Sequence, residues 1–78
     1  MPDRLTTLIG GCLDAAPDSI SDETGTRNLA RWDSLSHMRI IFALEEEFDI
    51  RFRDDELMRL VSVAAIRVAL LERNISTD

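Results

Sequence analysis

The sequence predicts an all-α domain, a bundle of four helices in which three are longer and the third is short. Apolar residues recur at helical spacing in three separate stretches, and good N-cap residues stand at the head of each helix. The 78 residues are one domain, 1–78, near the lower limit of what a hydrophobic core stabilises unaided. An apolar fraction of 45% places the chain among folded proteins rather than disordered ones.

Leu5, Leu8, Ile9, Cys12 and Leu13 form the first one-sided helical stripe, with Asp3 as cap and Pro17 as the far limit. Gly10 and Gly11 are assigned to the opposite face, and Cys12 reads as a small core residue. Residues 16–33 have no sustained period and are rich in Asp, Ser and Thr, with Gly25 among them. So long a connection in so small a domain is expected to wrap the core, anchored by Ile20 and Leu29, with a short helical turn near Arg27–Ala30.

The second helix is expected from Ser34 to Phe48. Asp33 and Ser34 are both N-cap types, and Ile40, Ile41, Leu44 and Phe48 share one side at ~100° per residue. Leu35, Met38 and Phe42 widen the apolar sector beyond what one neighbouring helix needs, so its edge is either buried on several sides or open to a ligand. Ile50 and Phe52 then pin a connection inward. Asp54, Asp55 and Glu56 suit the start of a short helix carrying Leu57, Met58 and Leu60. Ser62 caps the last helix, with Val63, Ile66 and Leu70 inward, Ala69 beside them, and Asn74 closing it in a left-handed conformation. The tail Ser76-Thr77-Asp78 is expected to fray.

Charge and chemistry exclude several functions. Net charge is −6, and all nine basic residues are arginine. Such a chain lacks the basic face that non-specific nucleic-acid binding needs, and suits partners with basic docking surfaces. One cysteine forbids an internal disulfide, and no apolar run approaches the ~18 residues of a membrane span; a cytoplasmic protein without membrane attachment is expected. A single histidine gives no two-histidine metal motif, no calcium-loop spacing is present, and no Gly-rich phosphate loop appears. His37 stands three residues past Ser34, but the pair lacks an orienting partner and an oxyanion site. A hydrogen bond steadying the helix start is the expected role of His37, and no catalytic or metal residue is assigned.

Ser34 has another prospect. At a helix start its hydroxyl meets unpaired backbone N–H groups and the positive end of the helix dipole, which together accommodate a phosphate. The stretch Trp32-Asp33-Ser34-Leu35, then Ala43-Leu44-Glu45-Glu46-Glu47-Phe48-Asp49-Ile50, then Asp54-Asp55-Glu56 and Ser62-Val63, resembles the acyl carrier protein family. The resemblance is dense over residues 29–71 and only patterned in the first 28. It implies a non-catalytic four-helix bundle, working as a monomer. A phosphopantetheinyl transferase would attach phosphopantetheine covalently to Ser34, and the terminal thiol would carry an acyl or aminoacyl group between enzymes. Asp33 matches the acid of the motif and would serve the transferase or the metal that the transferase uses. Leu35 and Met38 match apolar positions gripped by a loading enzyme, synthase or transferase. Glu45, Glu46, Asp54 and Glu56 match the acidic docking positions.

Departures from the family pattern point away from fatty-acid carriers. Arg31-Trp32 replaces a Gly-containing lead-in, and Ser36, Arg39 and Met58 stand where those carriers show acids. An arginine in place of an acid changes the local field by two charges, so fatty-acid-synthase partners should dock less well. A free-standing carrier of a secondary-metabolite or other dedicated pathway is the expectation. Trp32 either shields the thioester arm or packs in the core. The alternative function is a non-catalytic helical protein-interaction domain that keeps the carrier fold.

Overall fold

In a computed structural model, residues 3–77 are described. The chain folds as α1 (Arg4–Leu13), a 3₁₀ turn (Pro17–Ser19), α2 (Ser34–Phe48), α3 (Asp54–Leu57) and α4 (Val63–Glu72). The expected all-α bundle with a short third helix is what forms.

The three longer helices each begin after a residue whose side chain accepts a free N–H of the first turn, whereas α3 follows Arg53, whose side chain supplies no such cap. Asp3 accepts from the Thr6 amide at 2.9 Å, and the Thr6 hydroxyl accepts the Asp3 N–H in return, also at 2.9 Å. Asp33 accepts from Ser36 N–H at 2.9 Å, and Ser62 from Ala65 N–H at 3.1 Å. Asp14 and Asp49 end α1 and α2 in the left-handed conformation, where a short polar side chain is tolerated. Asn74 does the same after α4, at φ 61°, as expected.

The core joins Leu5, Ile9 and Leu13 of α1 with Ile40, Ile41 and Leu44 of α2 and Val63, Ile66 and Leu70 of α4. Leu8, Cys12, Leu29 and Phe48 pack partly buried against it. The long connection supplies Ile20 and Trp32 to the same core, Trp32 being among the largest fully buried side chains. That loop is stitched to the start of α4 by an isolated antiparallel bridge between Gly25 and Ser62. Val63 N–H donates to the Thr24 carbonyl at 2.9 Å, and Thr26 N–H to the Val61 carbonyl at 2.9 Å.

Four expectations are corrected. No helix forms at Arg27–Ala30: the Asn28 side chain takes the Gly25 N–H and donates to the Glu23 carbonyl, and that local bonding competes with helix formation. Met58 and Leu60 lie beyond α3, which ends at Leu57. Thr77 does not fray, because it is buried, its carbonyl accepts from Arg4 N–H at 2.8 Å and its hydroxyl binds Asp3 at 2.9 Å; Asp78 lies outside the described residues. Gly10 faces inward, not outward, because the chain doubles back at its surface and a Cβ would stand 2.7 Å from the Ala15 carbonyl oxygen.

Gly25 and Gly11 are opposites in this respect. A Cβ on Gly25 would overlap the Val61 carbonyl oxygen and meet Ser62 Cα at 3.0 Å, whereas one on Gly11 meets nothing within 4 Å. Gly25→Ala should therefore cost ~1–3 kcal/mol, while Gly11→Ala, in an exposed helical position, should gain up to ~1 kcal/mol. Thermal melts of the two variants check the opposite signs.

Candidate functional site

The head of α2 is built from three consecutive residues with separate tasks. Trp32 is driven into the core, Asp33 turns its carboxylate onto the first turn, and Ser34 is left facing solvent as the first helical residue. The carboxyl of Asp33 lies below the usual range, first because the Ser36 backbone N–H binds it and then because the Ser36 hydroxyl does. Asp33 therefore caps the helix, and Ser34 does not. The Ser34 hydroxyl has no hydrogen-bond partner among the described residues, and the Ser34 and Leu35 N–H groups meet no backbone acceptor there. A free hydroxyl beside unpaired donors at the positive end of a helix suits a phosphodiester.

His37 lies one turn along and bonds neither Ser34 nor any carboxylate among the described residues. Its Nδ1 accepts the Trp32 indole N–H at 3.0 Å, and its Nε2 stands 3.0 Å from the Leu57 carbonyl oxygen. The hydrogen bond expected to steady the helix start is present, and a second one reaches α3. Beside Ser34 opens an apolar groove of about 480 Å³, lined by Trp32, His37, Met38, Leu57, Met58 and Val61. Trp32 thus both packs in the core and forms a wall of this groove.

The other expected site residues fall into two sets. Leu35 is 65% exposed, Met38 half-buried at the groove, and Glu46 and Asp54 face solvent. Glu45 and Glu56 are engaged within the chain instead. Glu45 accepts from Phe52 N–H at 2.9 Å and holds the connection between α2 and α3. Glu56 accepts from Arg73 at 2.7 Å and from Arg53 N–H at 2.9 Å. Glu47 pairs with Arg4 at 2.8 Å, so Glu46 is the one member of the acidic triplet with no polar partner among the described residues. Phe42, 61% exposed, continues the apolar row of Leu35 and Met38 down α2. The helical i, i+3/i+4, i+7 spacing of those three residues was the signal for it.

The Glu56–Arg73 contact has a pH consequence. Hydrogen bonding to Arg73 first, then to the Arg53 N–H, lowers the Glu56 carboxyl from its ordinary 4.5 to about 2. Its contribution, of order 1–2 kcal/mol for a half-shielded charge-assisted bond, is complete above pH 4.5 and is lost as pH falls through about 2. Arg73→Gln should lower the melting temperature at pH 6, and the gap to the native protein should narrow as pH falls toward 2, leaving what the Phe52 ring and the Ala69 and Arg51 carbonyls contribute. Asp3 responds in the same sense: burial alone would raise its carboxyl, but bonds from Arg67, Thr6 and Thr77 hold it far below the usual range.

Residues 3–67 match the protein family described as "Phosphopantetheine attachment site". The chain belongs to the acyl carrier protein family. An acyl carrier protein of Picosynechococcus sp. is 34% identical over 61 residues, covering 78% of this chain and 75% of that one. An acyl carrier protein of Campylobacter fetus subsp. fetus is 28% identical over 64 residues, covering 82% and 83%. The solution structure of a holo acyl carrier protein from Geobacter metallireducens superposes with a TM-score of 0.74 at 32% identity, over 90% of this chain and 84% of the other. This acyl carrier protein is accordingly a carrier of covalently attached phosphopantetheine and not a catalyst. As a member of the family it works with partner enzymes such as transferases and synthases. No helix among the described residues is long and apolar enough to cross a membrane.

Proposed function

We propose that Ser34 Oγ is the attachment atom, and that the carrier holds an acyl or aminoacyl group as a thioester and delivers it to enzymes of a secondary-metabolite or other dedicated pathway. The observation that carries this is the solvent-facing Ser34 hydroxyl, which has no hydrogen-bond partner among the described residues because Asp33 takes the capping role. A phosphopantetheinyl transferase would direct that oxygen at the phosphate of coenzyme A nearest the pantetheine. A new P–O bond forms, the pyrophosphate link breaks with release of adenosine 3′,5′-bisphosphate, and the serine proton passes to the transferase. Asp33, exposed beside that hydroxyl, would assist the transferase. The thiol of the attached group supplies the thioester chemistry.

Leu35, Met38 and Glu46, with Asp54 at the head of α3, compose the docking face for a loading enzyme or synthase bearing a basic surface. Glu45 and Glu56 contribute to it through charge while holding the fold. Exposed Arg39 and Met58, in place of acids, support a partner set distinct from that of fatty-acid synthesis.

Incubation with coenzyme A, magnesium and a broad-specificity transferase should add one phosphopantetheine mass. Trypsin releases residues Trp32–Arg39, which contain Ser34 and Ser36, and fragmentation of that peptide should place the group on Ser34. An unchanged mass, or a group on Ser36, overturns the assignment. An unchanged mass would leave the interaction-domain reading, with Leu35 and Phe42 as its exposed anchors.

A further inference from the structure

We infer that His37 is a positioning residue, a strut between Trp32 and the end of α3 that sets the width of the groove beside Ser34. The inference rests on Ser34 as the attachment point. Two contacts independently fix the chemistry of the ring. An indole N–H can only donate, so Nδ1, 3.0 Å from Trp32 Nε1, carries no proton. A carbonyl oxygen can only accept, so Nε2, 3.0 Å from the Leu57 oxygen, carries one. Both demand the same neutral tautomer, and one ring then joins the loop before α2 to the last residue of α3. The near-parallel indole and imidazole rings, 29° apart with centroids 6.3 Å from each other, hold the strut at its buried end.

α3 needs such a support. It has four residues, too few to be stable as an isolated helix, and no helix of the bundle packs broadly against it. Its position is set by half-buried Leu57, by the Glu56–Arg73 bond, and by the His37–Leu57 bond. Neither Glu56 nor Arg73 lines the groove beside Ser34. The His37 tether lies in the groove lining itself, to which Met58 and Val61, beyond Leu57, also belong. Releasing the Leu57 carbonyl therefore frees a contact within the groove lining while leaving the Glu56–Arg73 bond intact.

The test separates the strut from general stability and from the attachment reading. His37→Asn keeps a polar group near Nδ1 but cannot reach Leu57; His37→Gln extends an N–H toward the position of Nε2. Native protein and both variants are converted to the phosphopantetheine form and loaded with acetyl or octanoyl groups, and thioester cleavage by hydroxylamine is timed. In His37→Asn the octanoyl thioester should be cleaved several-fold faster than in the native carrier and the acetyl thioester at the native rate. His37→Gln should return octanoyl cleavage toward the native rate. Equal acceleration of both thioesters, or of neither, overturns the inference. Without attachment the Ser34 assignment fails by itself, and the strut is then decided on the unmodified protein. There, ¹⁵N spectra should show His37 protonated on Nε2 alone, and Leu57 and Arg59 amides should exchange about tenfold faster in His37→Asn. A proton on Nδ1, or unchanged exchange, overturns it.

Discussion

Ser34→Ala is expected to abolish phosphopantetheine loading completely and to leave the fold as it is. The two outcomes separate because function and stability have been divided between neighbours. The oxygen removed makes no hydrogen bond within the described chain, and the cap is supplied by Asp33 Oδ1 on the Ser36 N–H at 2.9 Å. Alanine is also the best helix former at an exposed position, so the change in stability should stay under ~0.5 kcal/mol in either direction. Asp33→Ala should show the complementary pattern, with a lower melting temperature and a hydroxyl still present for modification. Asp33→Asn keeps a capping oxygen while losing the charge, so it isolates any electrostatic help given to the transferase. Intact mass after loading and a thermal melt on each variant are sufficient. If Ser34→Ala unfolded the chain, or still gained the mass, the division of labour at the head of α2 would be wrong.

That division was only half legible in the sequence. The pattern fixed α2 to its observed limits because cap chemistry and helical period act within a few residues of each other. Which of Asp33 and Ser34 would cap was a matter of one residue in register, and both side chains are competent. The docking acids were harder. Glu45 and Glu46 are indistinguishable as letters, yet Glu45 closes the connection before α3 and Glu46 does not, because the chain returns to α2 through Phe52 N–H. Thr77 and Gly10 were misplaced for the same reason. Their surroundings are made by segments distant in the chain or by a turn whose path no periodicity encodes: Arg4 and Asp3 for Thr77, the Ala15 carbonyl for Gly10. The link from His37 to the Leu57 carbonyl, twenty residues on, had no sequence signal beyond a tryptophan and a histidine straddling a helix start.

Trp32→Ala is expected to be the most destabilising single change at the site, and it tests whether the residue before the motif belongs to the fold or only to the arm. Trp32 is 2% exposed and lies in the cluster that joins α1, α2 and α4. Truncating a buried tryptophan costs ~3–5 kcal/mol in transfer and cavity terms. A chain of this length has a total stability of roughly 4–12 kcal/mol, so the loss is a large part of it. The indole also supplies the proton that fixes His37, so the variant loses a hydrogen bond with the packing. Trp32→Phe retains most of the ring and forfeits mainly that bond, for about 1–2 kcal/mol. Denaturant unfolding should therefore rank native above Trp32→Phe above Trp32→Ala, with the wider gap at the second step. A residue serving only to shield the arm would give three superimposable unfolding curves. The ranking follows from geometry at the attachment site: the wall of the groove that faces Ser34 is the outer surface of the core, so this carrier cannot alter that wall without spending stability it has little of.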